Sequence, residues 1–404
     1  MPRVLFAVTA RSALSVISGH IDHLAALGWH VDVVVGEPVA ASVFPRANVI
    51  VLPMLRDASA RSDLRALRQW ITLLKSIRPD VVIGATPKAA VLSLTAAKVT
   101  GVPHRVWWAW GVRGEQPTSP LVQRLEAHAA RLATVSVAAS DSLAEATLVA
   151  GSRVRPLVLG AGAIAGVDLD IFYRSSLPHP ATVDRAGAPV AIYLGRLARS
   201  KGITELAAVW GEVSAAMPNA RLMIVGEVDL RDPPGTALTD LRAMPSVEMV
   251  GHSEDAAALL RQADVMIFPC ARDGLPAVVL EAAASEVPSV AWDVVGVRDA
   301  IVDGVTGTLV TAGDTRAMAA SVVDLLRDRA GTRNMGAAAR AHVADRFERT
   351  RVEASFAALL ATMLGRPATD SAPASGAINV TNGNVHIDLS ARTATFDPNE
   401  PALR

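Results

Sequence analysis

Short apolar runs of strand length alternate with amphipathic stretches of helix length along nearly the whole chain, and that alternation commits it to parallel-sheet α/β units. In the first half the runs are RVLFAV, HVDVVV, ANVIVL, DVVIGA, HRVWWAW, ATVSVA and RPLVLG, with helical candidates such as SVISGHIDHLAAL, RSDLRALRQWITLLKSI and KAAVLSLTAAKVTG between them. From about Ala188 the pattern starts again with APVAIYLG, ARLMIVG, VEMVG, DVMIFP, PSVAWD and GTLVT. The repetition predicts two doubly wound sheets.

With 404 residues, and at roughly 150 residues per domain, there is room for two domains with cores of their own. The predicted layout is an N-terminal domain over 1–165, an interdomain segment and linker over 166–189, and a C-terminal domain over 190–345. A helix over 346–365 is expected to pack back towards the first domain, followed by an accessory tail over 366–404. LPHPATVDRAGAP, from Leu177 to Pro189, is rich in proline and small residues and places the linker. Doubly wound sheets bind ligands beyond the carboxyl ends of their strands, so two of them joined by one linker enclose a cleft, where the active site is expected. In the tail, apolar positions alternate around Asn382-Gly383 and predict a hairpin.

A single cysteine, Cys270, cannot form an internal disulfide, and the start MPRVLFAVTA lacks the pattern of a cleavable secretory signal. The expected location is therefore the cytoplasm, where the Asn379-Val380-Thr381 sequon carries little weight. No apolar run approaches the ~18 to 20 residues that span a bilayer. The formal charge is zero but unevenly spread. Residues 1–165 hold 17 Lys/Arg against 10 Asp/Glu (+7), and the remainder 22 against 29 (−7). A basic half suits an anionic membrane face or plain surface decoration, and the absence of any RNA or DNA motif gives no reason to expect nucleic acid as a partner.

Chemistry concentrates in the second half. After the strand VMIFPC comes ARDGLPAVVLEAAA, in which Gly274 permits a tight turn, Leu275 follows, and Pro276 suits the first helical position. The amides of Ala277 and Val278 would then be unpaired at a helix N-terminus and could take phosphate oxygens. One turn on, Glu281 shares their face, where a carboxylate can accept hydrogen bonds from a ribose diol. Asp273 sits in the loop facing the cleft. The segment GRLARSKG places Arg196 and Lys201 in the first loop of the second domain, where two cations could clamp a diphosphate and neutralise charge on a leaving group. Taken singly, each segment would also pass as an ordinary capped helix or a solvated loop.

These stretches, with VEMVGHSEDAAALLRQADVMIFP, GVRDAIVDGVTGTLV and, in the first half, ATPKAAVLSLTAAKVTGVPHRVWWAWG, resemble the retaining glycosyltransferases of family 4. The likeness covers most of residues 1–365 and is greatest to the bacterial branch that builds capsule, O-antigen and other surface polysaccharides. It implies the GT-B fold, two facing Rossmann-like domains around a cleft, and a nucleotide-sugar donor, with uridine diphosphate sugars the first choice. It also implies a glycan or lipid-linked glycan acceptor. By the same likeness Glu281 binds the ribose, Asp273 faces the donor sugar, and Arg196 and Lys201 hold the diphosphate. The family's E-x7-E signature falls on Asp273 and Glu281, so its first acid is shortened here. A glycine-rich loop after the first strand is replaced by Thr9-Ala10-Arg11-Ser12, and Trp107-Trp108-Ala109-Trp110-Gly111 stands where many members have a histidine.

On the acceptor side Ser12, Lys88, Trp108 and Trp110 are candidates. Lys88 either touches an anionic acceptor or faces solvent. Trp108 and Trp110 fall on one strand face, as an aromatic wall for sugar or lipid or as buried packing. The stretch Arg61 to Arg78 sets Arg61, Arg65, Arg68, Lys75 and Arg78 beside Leu64, Trp70 and Leu74, a surface suited to anionic lipid headgroups at the inner membrane face. No metal or cofactor is expected: His20, Asp22 and His23 read as an amphipathic helix, and Asp168-Leu169-Asp170 as an interdomain segment. Competing readings are a non-catalytic glycosyltransferase-like scaffold and a nucleotide-sugar epimerase-like enzyme, for which no acid/base set is identifiable. A dehydrogenase lacks its glycine fingerprint.

Overall fold

The structure, a computed structural model, describes residues 1–39, 44–54, 60–111, 120–149, 154–172, 187–366, 378–381 and 384–387. Strands β1 (Arg3–Val8), β2 (His30–Val35), β3 (Asn48–Val51), β4 (Val81–Gly84), β5 (His104–Ala109), β6 (Val135–Ala138) and β7 (Leu157–Val158) form one sheet in the order β3-β2-β1-β4-β5-β6-β7. All its pairs are parallel. A second parallel sheet contains β8 (Val190–Leu194), β9 (Arg221–Val225), β10 (Val247–Gly251), β11 (Val265–Phe268), β12 (Ser289–Trp292) and β13 (Gly307–Val310), in the order β10-β9-β8-β11-β12-β13. Each apolar run read from the sequence overlaps one of these strands. Parallel strands covered by helices on both sides have no solvent face, so they show as unbroken apolar runs.

Alternation along β1 divides the first core into two layers. Val4, Phe6 and Val8 meet Ile17, Ile21 and Leu24 of the helix Leu14–Ala26. Leu5 and Ala7 face the other way, onto Trp70 and Leu74 of the helix Ala60–Ile77 and Leu94 of the helix Pro87–Val99. Each fully buried Val, Leu, Ile or Phe among them contributes about 1.5 to 3 kcal/mol. The helix Ala60–Ile77 thus spends its tryptophan on the core, and its outward side carries Arg61, Leu64, Arg65, Arg68 and Lys75. Among the described residues no helix is long and apolar enough to cross a membrane.

The chain ends by crossing back. Helix Arg329–Arg346 contributes Ala339 and Val343 to the second core, and Phe347 follows them there. The next helix, Arg349–Met363, instead buries Phe356, Leu359 and Leu360 in the first. Phe356 lies 4.4 Å from Trp108, ring centre to ring centre and nearly parallel. A backbone bridge between Val167 and Glu348 marks the crossing. In the tail, β14 (Ile378–Thr381) pairs antiparallel with β15 (Asn384–Ile387), while Asn382, Gly383 and linker residues 177–186 lie outside the described residues.

Strand order reverses between β1 and β4 in one sheet and between β8 and β11 in the other. At such a switch point neighbouring loops leave in opposite directions and open a crevice beyond the strand ends. The crevice is therefore lined by the segments that follow β1, β4, β8 and β11, which carry Ser12, Lys88, Arg196, Lys201 and Asp273.

Candidate active site

The loop after β8 is shaped by its backbone. Tyr193, buried in the strand, donates its hydroxyl to the Arg196 carbonyl at 2.9 Å, with the Lys201 carbonyl at 3.3 Å. Gly202 has φ +80°, and a Cβ there would lie 1.9 Å from the Pro269 carbonyl oxygen, so only glycine lets this loop approach the end of β11. The result is that Lys201 Nζ meets Asp273 Oδ2 at 2.7 Å, each side chain about a quarter exposed. Burial works against the Lys201 ammonium, but the charge and hydrogen bond of Asp273 outweigh it and hold its pKa above the ordinary value. Arg196 is more exposed and ion-paired with Asp229, which sits in the loop after β9. Asp232 in the same loop accepts the Ser200 amide at 2.8 Å. Neither aspartate was singled out from the sequence, although both lie in VGEVDLRDPP.

After β11 the helix Ala277–Ala284 has Pro276 as its N-cap and so begins one position later than the sequence suggested, which put Pro276 at the first helical position. Its first hydrogen bonds run from Val279 and Leu280 to the Pro276 carbonyl, which leaves the amides of Ala277 and Val278 ahead of the helical ladder. Ala277 is exposed and Val278 half-buried, whereas Leu275 turns its side chain into the core and can offer only backbone. Burial raises the Glu281 carboxyl to about 7, against a lowering influence from Arg349. Gly274 departs from expectation: its φ is not positive, and it is required because a Cβ would lie 1.8 Å from the Trp110 carbonyl oxygen of the first domain. Close approach between the domains, not turn geometry, demands glycine here.

Across the cleft, Thr9 and Thr86 join the loops after β1 and β4 through hydroxyls 2.7 Å apart. Ser12 is exposed in a short 3₁₀ turn, Arg11–Ala13. Lys88 is ion-paired with Asp63 at 2.7 Å, its side chain 15% exposed. Trp108 requires correction as an acceptor-wall residue: it is 1% exposed and packs between Phe356 and His20, because its side of the strand faces the core. Trp110 is half-buried, edge-on to Trp108, and borders the cleft through its carbonyl beside Gly274. His20 is likewise core, its Nε2 2.6 Å from the Ile164 carbonyl and its pKa lowered to about 4 by burial.

Two parallel-sheet domains that touch where Gly274 meets the Trp110 carbonyl, with Lys201 and Asp273 paired at the switch point of the second sheet, have the GT-B architecture of glycosyltransferases. Residues 16–156 match the description "Glycosyltransferase Family 4" and residues 188–328 match "Glycosyl transferases group 1", so both domains are covered, and the chain belongs to this family. It is 27% identical to the capsular polysaccharide biosynthesis glycosyltransferase CapM of Staphylococcus aureus over 356 residues, 85% of this chain and 93% of that one. It is 32% identical over 206 residues, 46% of this chain and 52% of the other, to a GDP-mannose-dependent alpha-(1-6)-phosphatidylinositol monomannoside mannosyltransferase of Mycolicibacterium smegmatis. Among solved structures it superposes on Anabaena Alr3699/HepE in complex with UDP and glucose, with TM-score 0.74 at 18% identity, covering 90% of this chain and all of that one.

Proposed function

We propose that the chain transfers a sugar from a uridine diphosphate donor to a glycan or lipid-linked glycan acceptor, with retention of anomeric configuration, in the synthesis of a surface polysaccharide. The carrying observation is the meeting of Lys201 and Asp273 at 2.7 Å, at the switch point of the second sheet and in the loop that leads to the free amides of Ala277 and Val278. The surface-polysaccharide role is supported by the likeness to CapM, and the uridine donor by that to Alr3699/HepE bound to UDP and glucose.

In this reading Arg196, Lys201 and the two amides hold the diphosphate, Glu281 accepts the ribose hydroxyls, and Asp273 orients Lys201 and faces the donor sugar. The acceptor oxygen bonds to the anomeric carbon on the face from which the diphosphate leaves. The carbon–oxygen bond to phosphate breaks, and the acceptor proton passes to the departing phosphate oxygen. Two side-chain cations supply the neutralisation that a divalent ion supplies elsewhere, so no metal is required. The test is proton NMR of the product made from an α-linked donor in the presence of chelator. An α-linked product is expected. A β-linked product, or turnover abolished by chelator and restored by magnesium or manganese, overturns the mechanism.

Glu281→Gln is expected to weaken UDP binding by about 1 to 2 kcal/mol, since a neutral amide accepts hydroxyl bonds less strongly than a carboxylate. With the Glu281 carboxyl titrating at about 7, ribose binding draws it into its ionised form. UDP affinity in the wild type should therefore rise with pH through that range by more than in Glu281→Gln, as calorimetry at pH 6 and 8 would show. Parallel pH profiles would remove the ribose assignment.

The basic outward side of the helix Ala60–Ile77 supports docking of the first domain on an anionic membrane, where lipid-linked acceptors lie. Retention on anionic vesicles should fade as added salt shortens the Debye length. Equal retention on neutral vesicles contradicts docking.

A further inference from the structure

One set of contacts crosses the cleft without belonging to the proposed donor site. The helix Asp141–Val149 of the first domain meets the second domain at its N-terminus. Such a terminus carries unpaired amides and a partial positive charge. Ser140 accepts the Leu143 amide at 3.3 Å within that helix start, and donates its own buried hydroxyl to the Gly274 carbonyl at 2.8 Å. The Ser142 amide is taken by Asp299 Oδ1 at 3.2 Å, from the second domain, and the Ser142 hydroxyl donates to Asp299 Oδ2. The same hydroxyl accepts the Gly296 amide at 2.7 Å.

Gly296 connects this set to the donor loop. It has φ +77°, and a Cβ on it would lie 2.4 Å from the Asp273 carbonyl oxygen and 2.5 Å from that of Gly274. Gly274 in turn is pressed against the Trp110 carbonyl. From Asp299 to Ser142, through Gly296, to the Asp273–Gly274 backbone, the contacts form a continuous path. The Gly274 amide in turn donates to Asp273 Oδ1 at 2.8 Å, on the carboxylate paired with Lys201.

We infer that Asp299 and Ser142 form a clasp between the domains and are positioning residues for sugar transfer, an inference that rests on the reading of the Asp273–Lys201 site as the donor site. The carboxylate of one domain caps a helix of the other, and the capped arrangement fixes the donor loop against the acceptor side of the cleft. Neither residue touches the reacting atoms. Their effect falls on how far apart the two substrates are held, to which rates are steeply sensitive.

The test compares full-length wild type with Asp299→Ala, Ser142→Ala and the conservative Asp299→Asn, whose side-chain oxygen can still accept the Ser142 amide. UDP binding is measured by calorimetry, domain separation by small-angle X-ray scattering, and turnover as UDP released from UDP-glucose. Both alanine variants should lose about 10- to 100-fold in kcat, as a misplacement on the ångström scale does, and Asp299→Asn should recover part of it. UDP affinity and donor KM should stay within about twofold of wild type, since the second domain binds the nucleotide by itself in this reading. The alanine variants should also scatter as more open molecules. A purely structural role would lower the melting temperature and leave the kcat to KM partition and the scattering unchanged, and that result overturns the clasp. If the wild type neither binds UDP nor releases it from UDP-glucose, the donor reading fails, and scattering alone decides: identical profiles for wild type and alanine variants then overturn the clasp.

Discussion

Replacing Lys201 by alanine is expected to lower turnover by about 10²- to 10³-fold, the cost of removing one preorganised donor from a developing oxyanion. Two effects add. The ammonium that would meet the departing diphosphate is gone, and Asp273, whose carboxylate it holds at 2.7 Å, is left as a bare negative charge beside the same phosphates. Because Lys201 is only 23% exposed, its charge acts at close range in a poorly hydrated corner, where it is worth more than in bulk water. Uridine binding should be nearly unaffected and UDP binding moderately weakened, since the lost interaction is with phosphate. Lys201→Arg is not expected to restore full activity, because a planar guanidinium cannot take the place of a compact ammonium between Asp273 and the end of β8. Arg196→Ala should cost less, as Arg196 is 64% exposed and shares its charge with Asp229. A loss below tenfold for Lys201→Ala, with UDP affinity unchanged, would remove it from the leaving-group role.

The parts of this site that could be read from the sequence are those whose geometry is local. Arg196 and Lys201 lie in the loop after β8, and Asp273 in the turn between β11 and the helix that carries Glu281, so strand direction alone puts these segments beyond the carboxyl ends of the strands. The parallel strands were legible for a related reason: burial on both faces makes each one an unbroken apolar word. What could not be read are the partners far apart in the chain. Ser142 and Asp299, or Gly274 and the Trp110 carbonyl, meet only after two domains have folded and closed. The aspartate stands openly in GVRDAIVDG, yet nothing adjacent marks it as a cap for a helix in the other domain. Trp108 shows a different limit. Alternation correctly groups it with Trp110, but period two does not say which face is the core, and that face is set by the helix Arg349–Met363 arriving from the far end of the chain.

That arrival makes Phe356 a side chain whose loss should cost a large share of stability. Phe356 is 1% exposed, nearly parallel to Trp108 at 4.4 Å, 5.0 Å from the His20 ring and 6.3 Å from Phe6. Phe356→Ala deletes the ring that joins the returning helix to the first core and leaves a cavity too well walled to collapse, for an expected loss of about 3 to 5 kcal/mol. The cost should appear in the melting of the first domain, with UDP binding by the second retained at temperatures below that transition. His20 supplies an independent readout. In the wild type its neutral form is enforced by burial, with a pKa of about 4 against 6.5 for a free imidazole. The unfolded chain therefore takes up this proton first, and folding stability from this group declines as pH falls from about 6.5 towards 4. Water entering the space left by Phe356 should raise the His20 pKa towards 6.5 and flatten that acid dependence. A stability loss below about 1 kcal/mol would place Phe356 outside the range for a buried aromatic ring. If the His20 pKa, followed by NMR titration, also stayed near 4, the first core would hold together without the returning helix.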